Sequence, residues 1–339
     1  MTLENIWFFL VAVLLTGYVV LDGFDLGAGV LYPFIARDED QRRSVRASIG
    51  PVWDGNEVWL LTAGGALFAA FPAVYAATFS GFYLAIMLVL FGLILRAVSL
   101  EFRHRDEAWA KVWDATFFLG SLAPALLVGV ALGNVIRGIP LNANGDYTGT
   151  FLDLLNPYSL LVGVTGLALL VTHGASWLAV KTEGAVHERA VKWRTPLFLV
   201  TVALAVATSV ATITSVPRAS DNVLGSAVGW FFLVALAVAL LYTFWKQRDE
   251  GADRHAFLGS AAIVVALAGI AAVGNYPEIV PARGTPEATS LTVTNAASET
   301  LTLQVMLVIA LIGLPIVLGY TVFVYRTFGG KVKAAQGEY

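Results

Sequence analysis

The sequence predicts an all-α integral membrane protein, a polytopic bundle of about nine transmembrane helices. Of its 339 residues, 58% are hydrophobic and only 13% are charged, which is too apolar for a chain folded around one soluble core. Apolar runs of about 20 residues recur along nearly the whole chain, and each is long enough to cross a bilayer core of about 30 Å as a helix. These runs lack the strict polar and apolar alternation of membrane-spanning strands.

Nine apolar runs define the predicted spans. The first begins after Asn5 with no Lys or Arg before it and is too long for a cleaved signal peptide, so we predict a retained helix. The nine spans are 6–35, 52–74, 79–101, 114–136, 157–180, 195–216, 226–245, 256–275 and 301–325. We predict breaks at prolines, because proline favours helix ends. These breaks are Phe71-Pro72, Asn156-Pro157, Thr195-Pro196, Val216-Pro217 and Tyr276-Pro277.

The whole chain, residues 1–339, is predicted to form a single transmembrane domain. Its basic connections follow every second span. This spacing is compatible with two four-helix bundles, at about 6–136 and 157–275, followed by a ninth helix at about 301–325.

Charge orients the chain, because Lys and Arg concentrate in loops that stay on the cytoplasmic side. With nine spans, only Arg137, Arg218 and Arg283 fall on one side, which leaves 18 of the 21 basic residues on the other. An even number of spans would destroy this division. We therefore predict a plasma membrane protein with its amino terminus outside and its carboxyl terminus in the cytoplasm. The cytoplasmic set is Arg37, Arg42, Arg43, Arg46, Arg96, Arg103, Arg105, Lys111, Lys181, Arg189, Lys192, Arg194, Lys246, Arg248, Arg254, Arg326, Lys331 and Lys333.

Composition excludes several classes of function. A formal charge of −3 and a pI near 5.8 provide no basic surface for nucleic acid. The absence of cysteine excludes disulfides, Cys-ligated zinc and iron–sulfur clusters. We predict no metal site and no nucleic-acid partner.

Acidic residues inside apolar runs are functional candidates, because a charge in hydrocarbon costs a few kcal/mol. Asp22 and Asp25 are three residues apart in the first span and therefore share a helical face. Asp54 and Glu57 share a face in the same way at the start of the second span. There they also meet the positive end of the helix dipole.

The third span ends with Arg96 and Glu101 at the same predicted depth. Three helices of alternating direction thus place their charges near the cytoplasmic face, as a proton-conducting or ion-binding pocket would. The alternative is structural: the charged groups orient the helices and satisfy one another, and Asp54 caps its helix. Trp53 and Asn56, beside Asp54, are assigned a structural or orienting role.

His173 is the single histidine within a predicted span. A histidine at this depth can bind haem, shuttle protons or hydrogen-bond a neighbouring helix. We favour the hydrogen bond and an orienting role, because polar side chains commonly join membrane helices.

Several strings resemble subunit II of the cytochrome bd-type ubiquinol oxidases, including the cyanide-insensitive quinol oxidase branch. The first hundred residues match most closely, and the remainder agrees in span count and loop placement. The strings are Asp22-Gly23-Phe24-Asp25-Leu26-Gly27, Trp53-Asp54-Gly55-Asn56-Glu57-Val58-Trp59, Thr62-Ala63-Gly64-Gly65-Ala66-Leu67-Phe68-Ala69-Ala70, Tyr75-Ala76-Ala77-Thr78-Phe79-Ser80-Gly81-Phe82-Tyr83, Leu154-Leu155-Asn156-Pro157 and Ser298-Glu299-Thr300-Leu301-Thr302-Leu303.

The resemblance implies a partner, cofactors and a route for protons. In that family the larger subunit I carries haem b and haem d and oxidises quinol, while subunit II stabilises it. Some members hold a structural quinone in subunit II or bind a small accessory membrane subunit. The acids implicated in proton delivery correspond to Asp25, Asp54 and Glu101, and Glu101 departs from the usual aspartate. His173 and Met306 are the obvious haem-ligand candidates here, too few to house the haems.

The resemblance therefore implies a subunit of a quinol:oxygen oxidoreductase of the respiratory chain that is not catalytic alone. Protons are expected to pass Glu101 and Arg96, then Asp54 and Asp25, with Arg96 tuning the proton affinity of the carboxyl groups. Glu57 and Asp22 belong to the same predicted pathway. Two alternatives stay open: a secondary transporter or ion channel that uses the same acids, and a purely structural subunit.

Overall fold

The computed structural model describes residues 2–103, 108–284 and 288–332. Arg105 and Lys333 of the basic set lie outside the described residues. Within the described ranges the chain is overwhelmingly helical, which confirms the predicted all-α class. The α-helices are α1 (Leu3–Ile35), α2 (Glu39–Ile49), α3 (Trp53–Ala70), α4 (Pro72–Gly81), α5 (Tyr83–Phe102), α6 (Ala110–Arg137), α7 (Pro157–Lys181), α8 (Gly184–Ser215), α9 (Pro217–Leu224), α10 (Ala227–Lys246), α11 (Asp253–Asn275) and α12 (Thr300–Thr327).

Eight of the described helices are long and apolar enough to cross a membrane, namely α1, α5, α6, α7, α8, α10, α11 and α12. The remaining predicted span corresponds to α3, an 18-residue helix with a polar first turn. This helix runs antiparallel along α1. Asn56 near its start reaches the carbonyl of Leu21 at 3.1 Å, and Ala70 at its end shares an apolar cluster with Trp7. α3 therefore lies along the part of α1 between Trp7 and Asp25.

The predicted break at Phe71-Pro72 is confirmed, whereas the predicted end of the second span at residue 74 and the predicted break at Pro196 were wrong. Residues 72–81 form the separate helix α4, because Phe71 ends α3 and Pro72 starts a new helix at its first position. Pro196 was predicted to break the chain but lies inside α8. The polar turns before Pro196 stay helical because buried Val186 and Ala190 pack them into the core around α1 and α7.

Short strands join the two longest connections. Residues Ile139–Pro140 (β1) pair in parallel with Ala282–Arg283 (β3), and Glu278–Val280 (β2) pair antiparallel with Leu291–Thr292 (β4). A short 3-10 helix at Phe151–Leu154 precedes α7. These segments lie at the end of the bundle where α1 begins.

The opposite end of the bundle, here called the basic end, gathers the Lys- and Arg-rich connections. Polar contacts join them there: Arg103 to Glu39, Arg194 to Asp253, Lys181 to the carbonyl of Phe328, and Arg189 to the carbonyl of Ile35. The described chain thus starts at one end and finishes at the other. That the basic end faces the cytoplasm stays a prediction, as does the division into two four-helix bundles.

α1 occupies the centre of the bundle, and residues 22–32 are buried on every side. This enclosure requires a close approach between α1 and α7, where Gly27 faces Gly174. A Cβ atom on either glycine would overlap backbone atoms of the other helix. The acids of α1 are therefore held inside a tightly packed crossing.

Candidate functional site

A guanidinium and two carboxylates from three helices form a buried ion network. Nη2 of Arg96 on α5 donates to Oδ1 of Asp22 on α1 at 2.6 Å and to Oε1 of Glu57 on α3 at 2.5 Å. The side chains of Arg96 and Asp22 are fully buried, whereas that of Glu57 is 21% exposed. Glu57 is thus the member of this network nearest the surface of the chain.

Asp25 joins the network through an amide. Nδ2 of Asn56 donates to Oδ2 of Asp25 at 2.7 Å and to the carbonyl of Leu21 at 3.1 Å. Oδ1 of Asn56 accepts a hydrogen bond from the hydroxyl of Tyr325 on α12 at 2.9 Å. Sequence reasoning missed Tyr325, because a tyrosine near the end of a span is ordinarily an interfacial anchor.

The network has spare capacity for protons. Within the described ranges, Oδ2 of Asp22, Oδ1 of Asp25 and two nitrogens of Arg96 are buried without a hydrogen-bond partner. Buried polar atoms are rarely left in this state outside functional sites and water-binding sites. Asp22 and Glu57 bond to the Arg96 guanidinium while Asp25 bonds to Asn56, so Asp25 can take up a proton without breaking either ion pair.

Asp54 does not join this network, because of where it lies on α3. The buried stripe of α3 follows Asn56, Trp59 and Ala63, and Asp54 lies two residues from Asn56 on the other side of the helix. Its side chain is exposed on the single chain. Trp53 is half-buried and packs against the core cluster around α1.

Glu101 is placed outside the network for the same reason. The buried stripe of α5 follows Arg96, Ser99, Leu100 and Arg103, at the spacing of one helical face. Glu101 points away from this stripe and is exposed. The structure therefore brings together Asp22, Asp25, Glu57 and Arg96, with Asp54 and Glu101 on outward faces.

A second ion cluster, which sequence reasoning missed, lies two helical turns closer to the basic end. Asp114 on α6 accepts from the Tyr32 hydroxyl and from Arg42 at 2.6 Å each, and from Nε of Arg103 at 2.8 Å. Burial lowers the pKa of Arg103, but the hydrogen bond and charge of Asp114 outweigh it, so this pKa is raised overall. The cluster joins α1, α5 and α6 at the basic end of the bundle.

His173 hydrogen-bonds to two other helices. Its Nδ1 lies 2.7 Å from Oγ of Ser260 on α11, and its Nε2 lies 3.0 Å from the carbonyl of Val20 on α1. The ring stacks on Phe257 with centroids 4.8 Å apart. Because Val20 offers only an acceptor, Nε2 carries the proton and Nδ1 is an acceptor that shares the Ser260 hydroxyl with the carbonyl of Phe257, 2.8 Å from Oγ.

Among the described residues, the two haem-ligand candidates singled out from the sequence do not fit a haem. Both ring nitrogens of His173 are hydrogen-bonded, and Met306 packs against the apolar cluster that contains Trp7, at the end of the bundle where α1 begins. In the part of the chain that the structure describes, no group of three or more His, Cys, Asp or Glu side chains could hold a metal ion.

An apolar cleft of about 320 Å³ lies among α1, α6, α7, α8 and α11. Its wall includes Gly23, Val128 and Leu169. Hydroxyl groups of α7 and α8 pair with each other in its wall: Tyr158 with Thr212 at 2.9 Å and Thr165 with Thr208 at 2.7 Å. A third pair between the same helices, Thr172 with Thr201 at 2.9 Å, lies outside the cleft.

Known proteins of one family are similar to this chain along almost its whole length. Residues 3–328 match the family described as cytochrome bd terminal oxidase subunit II. The chain is 39% identical to a probable cytochrome oxidase subunit 2 of Haemophilus influenzae, covering 98% of this chain and 96% of the relative. It is 38% identical to the cytochrome bd-I ubiquinol oxidase subunit 2 of Escherichia coli K12, covering 97% and 95%. For the cytochrome bd ubiquinol oxidase subunit 2 of Bacillus subtilis the identity is 35%, covering 98% and 97%.

The fold also has a solved counterpart. A chain in the structure of bd oxidase from Geobacillus thermodenitrificans superposes with a TM-score of 0.81 at 20% identity, covering 97% of this chain and 99% of that one. At this identity the likeness concerns the fold.

The fold and the buried ion network define a multi-pass helical subunit of a membrane complex. The chain belongs to the cytochrome bd terminal oxidase subunit II family. It is therefore a subunit of a haem-containing oxidoreductase complex of the bacterial inner membrane, together with a subunit I. This membership confirms the predicted family, function and location, and it disfavours the transporter or channel alternative.

Proposed function

We propose that this chain serves a quinol:oxygen oxidoreductase in which quinol oxidation is coupled to the reduction of O2 to water and to proton motive force. Haem b and haem d reside in the partner subunit, and this chain stabilises that partner and helps deliver cytoplasmic protons. The names of the Escherichia coli and Bacillus subtilis relatives support a ubiquinol substrate. The buried network of Asp22, Asp25, Glu57 and Arg96 is the observation that carries the role in proton delivery.

The proposed route starts at the basic end, which the distribution of Lys and Arg assigns to the cytoplasm. Glu101 and Asp54 lie on outward faces and collect protons there. Glu57 is partly exposed and bonded to buried Arg96, so it links the surface to the interior. From Glu57 the proton passes to Asp22 and Asp25, whose unpaired carboxylate oxygens provide the acceptor sites.

The outward face of α3 is the side that we assign to the haem-bearing partner. It carries Asp54, Gly55, Thr62 and Gly65, and no described atom of this chain lies within 4 Å of a Cβ built on either glycine. A carboxylate is costly against lipid, and small residues permit close helix approach. A protein partner satisfies both conditions, and the proton entry at Asp54 would then lie at the subunit interface.

Two further ligands of the complex have places in this proposal. The apolar cleft suits the isoprenoid chain of a structural quinone, because its wall is apolar and its hydroxyl groups are already paired. The remaining exposed apolar helix faces, such as that of α10, are left to membrane lipid and a small accessory membrane subunit.

The test is Asp25→Asn in the intact complex. We expect oxidase turnover and proton uptake to fall roughly tenfold or more, because the substitution removes the proton-binding oxygen but keeps the size of the side chain. Asp54→Asn should show a smaller loss in the same direction. The measurements are oxygen consumption with quinol and proton uptake in vesicles, normalised to haem content.

Asp40→Asn is the matched control, since Asp40 is an exposed acid of α2 at the same end of the bundle. It should leave both rates unchanged. Normal turnover and proton uptake in Asp25→Asn at normal haem content would leave the purely structural role as the function of the acid network.

A further inference from the structure

Tyr325 is the one residue of α12 that reaches the acid network described above. Its hydroxyl donates to Oδ1 of Asn56 at 2.9 Å, and Asn56 in turn donates to Asp25 at 2.7 Å. Near its other end α12 is held by the indole nitrogen of Trp7, which donates to the carbonyl of Leu303 at 3.0 Å. Between these two points no residue of the helix is fully buried, and only one face of it packs partly on the bundle.

The orientation of the Asn56 amide follows from its partners. The carbonyl of Leu21 can only accept, so the atom of Asn56 that faces it must be the nitrogen Nδ2. Oδ1 therefore points at Tyr325, and Tyr325 must be the donor in that bond. Without the hydroxyl of Tyr325, one of the two restraints that keep Nδ2 directed at Asp25 is lost.

This orientation also distinguishes the two oxygens of Asp25. Oδ2 accepts from Asn56, while Oδ1 is buried without a partner among the described residues. A proton bound on Oδ2 would be repelled by the amide hydrogen that Asn56 donates to the same oxygen. Oδ1 has no such donor beside it and can bind the proton. The amide thus selects Oδ1 as the oxygen that carries the proton.

We propose that Tyr325 is a positioning residue for proton transfer, which fixes the Asn56 amide so that Asp25 takes up and releases its proton at Oδ1. The inference rests on the proposed role of Asp25 in proton delivery. Tyr325 acts through Asn56 and has no direct bond to the carboxyl group. Its ring is held independently, edge-on to Trp177 and Phe24 at centroid distances of 6.1 and 6.5 Å.

The test is the pH profile of quinol-dependent turnover in the intact complex carrying Tyr325→Phe. This change keeps the ring contacts and removes only the hydroxyl. We expect the pH at half-maximal turnover to move by roughly half a pH unit, the size expected for a weakened hydrogen bond to the carboxyl group. Tyr320→Phe is the matched control, because Tyr320 lies on the same helix and is 64% exposed, and it should leave the profile unchanged.

A double-mutant cycle with Asn56→Leu tests the mechanism. If Tyr325 acts through Asn56, the profile of the double variant should equal that of Asn56→Leu alone, and additive shifts would overturn the proposal. A wild-type profile in Tyr325→Phe would also overturn it.

Should Tyr325→Phe give no haem-containing complex, a ring-fluorinated tyrosine at position 325 keeps the hydroxyl and strengthens the donor. It should shift the profile in the direction opposite to Asn56→Leu, and no shift would count against the proposal.

Asp25→Asn separates this inference from the proposed function. A slow Asp25→Asn complex together with an unchanged Tyr325→Phe profile would reject only the role of Tyr325. An Asp25→Asn complex with normal proton uptake would reject proton delivery itself.

Discussion

Two helix crossings in this chain are held by different chemistry. Where α1, α3 and α5 meet, Arg96 bridges two carboxylates, and several buried polar atoms have no partner in the described chain. Where α7 meets α8 and α11, neutral groups pair almost one to one: Thr165 with Thr208, and His173 with Ser260. Hydroxyl pairs suffice to join membrane helices. The charges of the first crossing are thus more than packing requires, which is the physical reason to assign them a task.

The largest effect should come from breaking the ionic crossing with Arg96→Met. This change leaves Asp22 and Glu57 buried or half-buried beside no counter-charge, and removing one partner of a buried pair costs about 3–5 kcal/mol. We expect little haem-containing complex to be recovered, and a markedly lower Tm for what remains. Arg37→Met serves as the control, since Arg37 is exposed at the same end. Wild-type yield and Tm would show that the ion pair is dispensable.

A smaller effect is expected at the neutral crossing from His173→Phe. The new ring can keep the stack on Phe257 but removes the two hydrogen bonds that join α7 to Ser260 and to the Val20 carbonyl, at about 1–3 kcal/mol. Thermal denaturation of the purified complex measures this loss. Turnover per haem should stay within about twofold of wild type, because no proton step is assigned to this crossing. A loss of proton uptake comparable to that of Asp25→Asn would erase the contrast between the two crossings. His255→Phe, at an exposed histidine, provides the reference.

The smallest effect should follow from Thr165→Val, which removes one pair of the hydroxyl series. Such hydrogen bonds average about 0.6 kcal/mol in membrane proteins. The Tm should fall only slightly, with turnover unchanged, and Thr214→Val on the exposed face of α8 should not lower it at all. A destabilisation as large as that of Arg96→Met would mean that the neutral pairs carry more of the fold than their chemistry suggests.

Sequence reasoning reached the ion network because its members occupy fixed depths. Asp22, Glu57 and Arg96 each lie in the half of α1, α3 or α5 that is nearer the basic end, so the alternating direction of these helices brings them to one level. Depth does not determine which way a side chain points. Asp54 and Glu101 have the right depth but lie off the buried stripes of α3 and α5, and those stripes depend on neighbours that the sequence does not reveal.

The fold, like the site, was predicted where it depends on local sequence and missed where it depends on tertiary contacts. Long apolar runs identify the membrane helices, since length and hydropathy are local properties. Pro196 misled the prediction because tertiary packing carries α8 through a residue that normally ends helices. The strand pair between Ile139 and Ala282 joins segments with no local pattern of their own.

The bond from Tyr325 to Asn56 links residues separated by 269 positions. Ribosomes make a polypeptide from its amino terminus, so the acids of α1 and α3 enter the membrane long before the tyrosine that orients their amide has been synthesised. The site is therefore finished only when the final helix docks, and an incompletely translated subunit would present these acids without that helix.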